Sequence, residues 1–124
     1  MRLLLDTHVL LWWLNGDEMS DESAAAIRDP ENDVVVSVVS AWEISVKAAK
    51  GRIAVEAGLW EAIAESAFDI LPIEWRHAQQ VQALPPIHGD PFDRMLVAQG
   101  QVDGLVLVTR DPHIHRYDLM TMAA

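Results

Sequence analysis

Val34-Val35-Val36-Ser37-Val38-Val39 is a β-branched stretch with hardly an interruption, the composition of a strand covered on both faces. On its N-terminal side, Leu3-Leu4-Leu5 reads as a second short buried strand. Thr7 to Leu14 follows as a helix stopped by Asn15-Gly16, and Ser20 to Arg28 as another, with Ser20 as N-cap and Asp29-Pro30 as the stop. On its C-terminal side, Ser40 is expected to cap a helix running to about Lys50, with Lys47 and Lys50 in the last turn and Gly51 at C′.

Further along, Leu59 to Ala67 is a helix, and Phe68 to Ile73 a short strand broken by Pro72. Glu74 to Leu84 is a helix ended by Pro85-Pro86. Asp90-Pro91 opens a helix that runs to about Val102, Gly104 precedes the strand Leu105 to Val108, and a last strand is expected within Asp118 to Met122. Continuous apolar strands separated by helices predict an α/β protein, a three-layer α/β/α sandwich with a central, mostly parallel sheet.

The chain of 124 residues has the length of a single domain spanning 1–124, and it shows no linker, repeat or low-complexity segment. It has no cysteine, which excludes disulfides, thiolate metal sites and a Cys nucleophile and fits a cytoplasmic location. Asp6 and His8 interrupt the apolar N-terminus, which argues against a secretion signal. No apolar run approaches the roughly 18 residues needed to cross a bilayer. The formal net charge of −10 is the wrong sign for binding phosphates through a basic patch. Acids gathered at one point would instead call for a cation.

Four acids have an address at which they would gather. In open α/β sheets, ligands bind beyond the carboxyl ends of the strands. Asp6 follows Leu3–Leu5, and Asp111 follows Val108 after Thr109-Arg110; Glu43 and Asp93 lie in the first turns of helices. Each has a local explanation. Ser40 and Glu43 would make a capping box, Asp90 an N-cap before the N1 proline, with Asp93 at N3, and Asp6 and Asp111 would initiate turns. The Asp93 helix shifts the balance: Leu96, Val97 and Gly100 stand at i+3, i+4 and i+7, so Asp93 shares the buried face. A half-buried carboxylate needs a partner, and no Lys or Arg cluster is spaced to neutralise four acids. Oxygen ligands without a His or Cys cluster favour Mg²⁺ or Mn²⁺ and suit phosphodiester hydrolysis. His113 and His115 make no convincing zinc motif, and His88, just before the acidic helix, reads as an exposed loop residue, with substrate contact as the alternative.

Leu5-Asp6-Thr7-His8, Ser40-Ala41-Trp42-Glu43-Ile44, Asp90-Pro91-Phe92-Asp93-Arg94-Met95-Leu96-Val97-Ala98-Gln99 and Val108-Thr109-Arg110-Asp111 occur in the order and spacing of the PIN domain. Over essentially the whole chain the sequence resembles the VapC-type toxins of type II toxin–antitoxin systems. That resemblance implies a Rossmann-like fold and a Mg²⁺- or Mn²⁺-dependent endoribonuclease, a hydrolase that uses metal-activated water to leave a 5′-phosphate and a 3′-hydroxyl. It implies Asp6, Glu43 and Asp93 as the central metal-binding and catalytic triad, with Asp111 as fourth acid. Thr7 and Thr109 match hydroxyl positions that orient ligands or water. Asp90 is a helix cap and candidate auxiliary ligand. Arg94 and Arg110 are candidates to hold flanking phosphates, with surface salt bridges as the alternative, and Lys47 and Arg116 are weaker ones.

The partners implied are an RNA substrate, a cognate antitoxin and a second copy in a homodimer, with no membrane. Five tryptophans suit such interfaces, although core packing is expected to account for most of them, with one of Trp12 and Trp13 at an interface. A haloacid-dehalogenase phosphatase would need a second Asp where His8 stands. A response-regulator receiver would need an acidic pair near the start and a late Lys. The remaining alternative is a catalytically inactive PIN-like module that binds RNA or protein.

Overall fold

The structure, a computed structural model, describes residues 1–124. Five strands, β1 (Arg2–Leu5), β2 (Asp33–Ser37), β3 (Asp69–Leu71), β4 (Val106–Thr109) and β5 (Thr121–Ala123), form one sheet in the order β3-β2-β1-β4-β5. Every pairing is parallel. Six helices connect them: α1 (Thr7–Asn15), α2 (Asp21–Arg28), α3 (Val38–Ala49), α4 (Leu59–Glu65), α5 (Trp75–Ala83) and α6 (Pro91–Asp103).

The pleat explains why the strands are apolar without alternation. Leu3, Leu5, Val34, Val36 and Val108 pack on one face with Val9, Leu10 and Ile27 from α1 and α2. Leu4, Val35 and Leu107 pack on the other with Leu96, Val97 and Ala98 of α6. Successive side chains point to opposite faces, and both faces are covered, so every position is apolar. This is the predicted α/β/α sandwich, with no antiparallel strand. No helix is long and apolar enough to cross a membrane.

Two expectations are corrected. The Val34–Val39 strand ends at Ser37, and Ser37 rather than Ser40 caps α3. The Ser37 hydroxyl accepts the Val39 N–H (3.0 Å) and donates to Gln99 Oε1 of α6 (2.6 Å). Both serines can cap; the α6 partner favours the earlier one. Glu43 therefore lies in the second turn, not at N3, and no Ser40–Glu43 capping box forms. The tryptophans are also not mainly core residues: Trp42, Trp60 and Trp75 are exposed, and Trp12 and Trp13 only flank the core.

The turns are closed as expected elsewhere. Ser20 caps α2, Asp90 caps α6 with Pro91 in its first turn, and Gly16 and Gly104 terminate α1 and α6 in the left-handed conformation. Asp6 is more than a turn initiator, since its side chain caps α1 by accepting the Val9 N–H at 2.9 Å.

Candidate metal centre

From β1 the chain moves outward to β2 and β3, then returns to the other side of β1 for β4 and β5. That reversal opens a crevice at the carboxyl ends of β1 and β4. Asp6 leaves β1 there, Thr109 and Asp111 leave β4 there, and α3 and α6 bring Glu43 and Asp93. The cleft, about 320 Å³, is lined by Asp6, His8, Trp12, Glu43, Lys47, His88, Asp90, Asp93, Arg110 and Asp111. Five of these are carboxylates, against two permanent cations.

Asp6 is 5 % exposed and Glu43 2 %, so each needs internal partners. Thr109 Oγ1 donates to Asp6 Oδ2 at 2.5 Å and accepts the Asp111 backbone N–H at 3.1 Å. Thr7 Oγ1 donates to Glu43 Oε1 at 2.5 Å and lies 3.1 Å from the Ser40 hydroxyl. Lys47, one turn after Glu43, pairs with Glu43 Oε2. The i to i+4 spacing carries this pair in the sequence. Asp90 Oδ1 accepts the N–H groups of Phe92 (2.8 Å) and Asp93 (3.4 Å) as the α6 cap.

Crowding of acids shows in their protonation. Burial first, then the charges of Asp90 and Glu43, push the Asp93 carboxyl up to about 7. Burial likewise raises Asp6, against the hydrogen bonds from Thr109 and Val9. Asp111 goes the other way: although burial raises it, the His113 N–H and the His88 ring hold it below its ordinary value. Burial would lower Lys47, but the Glu43 hydrogen bond and charge outweigh it and raise it. The donor set is hard oxygen, negatively charged beyond what Lys47 and Arg110 offset. It fits a divalent cation of the Mg²⁺ or Mn²⁺ class.

Other expected residues are placed differently. Arg94 forms no ion pair with an acid. Its guanidinium donates to the carbonyls of Pro85 (3.0 Å), Val81 (3.2 Å), Leu84 (3.4 Å) and His88 (3.5 Å) and to the Tyr117 hydroxyl (3.3 Å). Arg110 lies 4.0 Å over the Trp12 ring, and His8 stacks on the same indole at 6.0 Å. Arg116 is exposed, in a short 3₁₀ turn outside the cleft. His88 is no exposed loop residue: its Nε2 lies 2.8 Å from Asp111 Oδ2 and 3.1 Å from Asp93 Oδ2. Sequence reasoning passed over His8 and Trp12 as parts of this cleft, and for His88 it favoured an exposed loop over a substrate contact. His88, two residues before the Asp90 cap, carried the only positional signal.

An open parallel α/β sheet with acids converging at its switch point defines a class of small Rossmann-like domains. The chain belongs to the PIN domain family, whose model matches residues 3–119. Among solved structures it is similar to the VapBC2 complex of Rickettsia felis bound to a promoter DNA fragment, with TM-score 0.78, 14 % identity and coverage of 100 % of this chain and 99 % of that one. It is also similar to a toxin–antitoxin complex from Klebsiella pneumoniae (TM-score 0.65, 23 % identity, 97 % and 95 % covered). A third likeness is FitAcB from Neisseria gonorrhoeae (TM-score 0.65, 20 % identity, 97 % and 96 % covered). No curated protein matches by sequence.

Proposed function

We propose that this chain is a VapC-type toxin of a type II toxin–antitoxin module, a Mg²⁺- or Mn²⁺-dependent endoribonuclease acting in the cytoplasm as one PIN domain. The observation that carries the reading is the meeting of Asp6, Glu43, Asp93 and Asp111 from four chain segments in one acidic cleft. Membership of the PIN domain family supports it. The toxin–antitoxin complexes among its structural likenesses support an antitoxin partner.

In this reading Asp6, Glu43 and Asp93 hold the cation, with Asp111 as fourth acid and Asp90 as cap and auxiliary ligand. A divalent ion bound there would stabilise charge on phosphate oxygens and lower the pKa of water. The protein's own groups do the positioning. Thr109 fixes Asp6 relative to Asp111, and Thr7 and Lys47 orient the two Glu43 oxygens. Arg110 and Lys47 give the rim the positive charge that draws an RNA phosphate towards an otherwise repelling site. In-line attack of water on the phosphodiester then leaves a 5′-phosphate and a 3′-hydroxyl. Exposed Trp42, Trp60 and Trp75 suit the antitoxin and a homodimer contact.

The deciding experiment incubates purified protein with a cellular RNA pool in Mg²⁺, Mn²⁺ or EDTA, beside Asp6→Asn and Asp93→Asn. Cleavage that needs metal and disappears in both folded variants is expected. No cleavage by folded, metal-loaded wild type would overturn the enzyme in favour of an inactive RNA- or protein-binding module.

A further inference from the structure

His88 joins two acids that belong to different parts of the fold. Asp93 sits in the first turn of α6 and Asp111 on the loop after β4, and both present an oxygen to His88 Nε2. One ligand atom from each of the three residues lies within 4.8 Å of the others, so spacing alone would allow the imidazole itself to ligate a cation. The other ring nitrogen decides against this. His88 Nδ1 accepts the backbone N–H of Asp90 at 3.0 Å, which requires a lone pair on Nδ1. The proton of the neutral ring is then on Nε2, where it donates to Asp111 and lies between the two carboxylates.

The loop that carries His88 is built to keep this tautomer. The His88 N–H donates to the Tyr117 hydroxyl at 2.8 Å, and Tyr117 is 4 % exposed. Arg94 ties the carbonyls of Leu84, Pro85 and His88 to the α6 helix from which it projects. The His113 ring stands edge-on to the imidazole, with centroids 5.4 Å apart. The ring cannot turn without giving up the Asp90 N–H.

We propose that His88 is a positioning residue, not a metal ligand: its fixed Nε2–H holds Asp93 and Asp111 together before the cation arrives and remains an outer donor afterwards. The role rests on the metal-nuclease reading and deepens it. It also bears on selectivity, because an imidazole ligand would draw the site towards zinc, whereas an imidazole donor leaves an all-oxygen set suited to Mg²⁺ or Mn²⁺. Arg94, expected to serve the substrate, acts here as a brace for the loop.

The test is Mn²⁺ titration by calorimetry of wild type, His88→Ala and His88→Gln, with pulsed electron paramagnetic resonance of each Mn²⁺-loaded protein and circular dichroism to check folding. Gln offers an N–H donor in place of the Nε2–H and no imidazole. Outer-shell partners typically change metal affinity by about 10- to 100-fold; His88→Ala is expected to weaken Mn²⁺ binding within that range. His88→Gln should recover most of the loss, and wild type should show no directly coordinated nitrogen. A coordinated ¹⁴N signal in wild type, or unchanged affinity in folded His88→Ala, overturns the positioning role alone. Wild type that binds no Mn²⁺ overturns the metal reading and this role with it.

Discussion

Thr109 Oγ1 donates to Asp6 Oδ2 at 2.5 Å although 103 positions separate the two residues in the chain. The same hydroxyl accepts the Asp111 N–H, so one buried oxygen couples the end of β1 to the loop after β4. Replacing it with Val keeps the branched shape and leaves both partners without their bond. A buried group that loses its partner costs about 1–3 kcal/mol. Thr109→Val should lose stability on that scale in urea denaturation and bind Mn²⁺ more weakly, and Thr109→Ser should retain most of both. Stability and Mn²⁺ binding retained by Thr109→Val but lost in Thr109→Ser would mean that the methyl group, not the hydroxyl, matters.

The raised Asp93 carboxyl predicts how stability depends on pH without metal. Its folded value, about 7, exceeds the ordinary carboxylate value of 3.8, so between these limits the unfolded chain releases this proton more readily. Asp93 therefore subtracts stability progressively as pH rises from about 4 to about 7, and fully above that. In EDTA the melting temperature of wild type should fall across this window. Asp93→Asn should flatten part of the fall and melt higher than wild type at pH 8. Asp6, raised in the same direction, should retain the remainder of the slope. Added Mn²⁺ should raise the melting temperature of wild type at pH 8 more than that of Asp93→Asn.

Catalysis should fail on loss of a buried acid while the fold survives. Metal-assisted stabilisation of the transition state is worth several kcal/mol, and each 1.36 kcal/mol is about tenfold in rate. Asp6→Asn and Glu43→Gln should each lower RNA cleavage at least about a hundredfold with circular dichroism unchanged. Glu43→Gln also releases Lys47 from its pair. Full activity in either variant would remove that residue from the ligand set.

Two arginines beside site residues should separate in their effects. Arg94 binds four carbonyls and a phenol, an arrangement that needs the planar five-donor fork. Arg94→Lys should therefore destabilise the protein, by about 1–3 kcal/mol if one or two acceptors are left unpaired. Arg110 is exposed over Trp12 and donates to the carbonyls of Ala124 (3.1 Å) and Glu18 (3.2 Å), surface contacts that contribute about 0.5–1.5 kcal/mol each. Arg110→Ala should lose the Trp12, Ala124 and Glu18 contacts, a modest stability loss, and raise KM for RNA more than it lowers kcat. The reverse pattern for the pair would assign them opposite roles.

Most of the fold was legible because its signals are local. Ser20, Asp90 with Pro91, Gly16 and Gly104 mark helix ends through backbone hydrogen bonds that reach only a few residues. The unalternating valines and leucines reveal strands covered on both faces. The start of α3 was misread because Ser37 and Ser40 are both competent caps, and the choice depends on Gln99, a residue of another helix. The tryptophans were misread because composition does not say which faces of the helices remain uncovered.

Sequence alone determined the set of elements, their order and the acids placed after β1 and β4 and at the start of α6. Periodicity and capping are properties of neighbouring residues, and the chain carries them wherever it is. Only the tertiary structure decided which groups meet. The β3-β2-β1-β4-β5 order brings Asp6 to Thr109, and the folded-back loop before α6 sets His88 between Asp93 and Asp111. It also turned Arg94 inward to brace that loop. These contacts are made across the switch point of the sheet, between segments whose distance apart depends on strand order and not on separation along the chain.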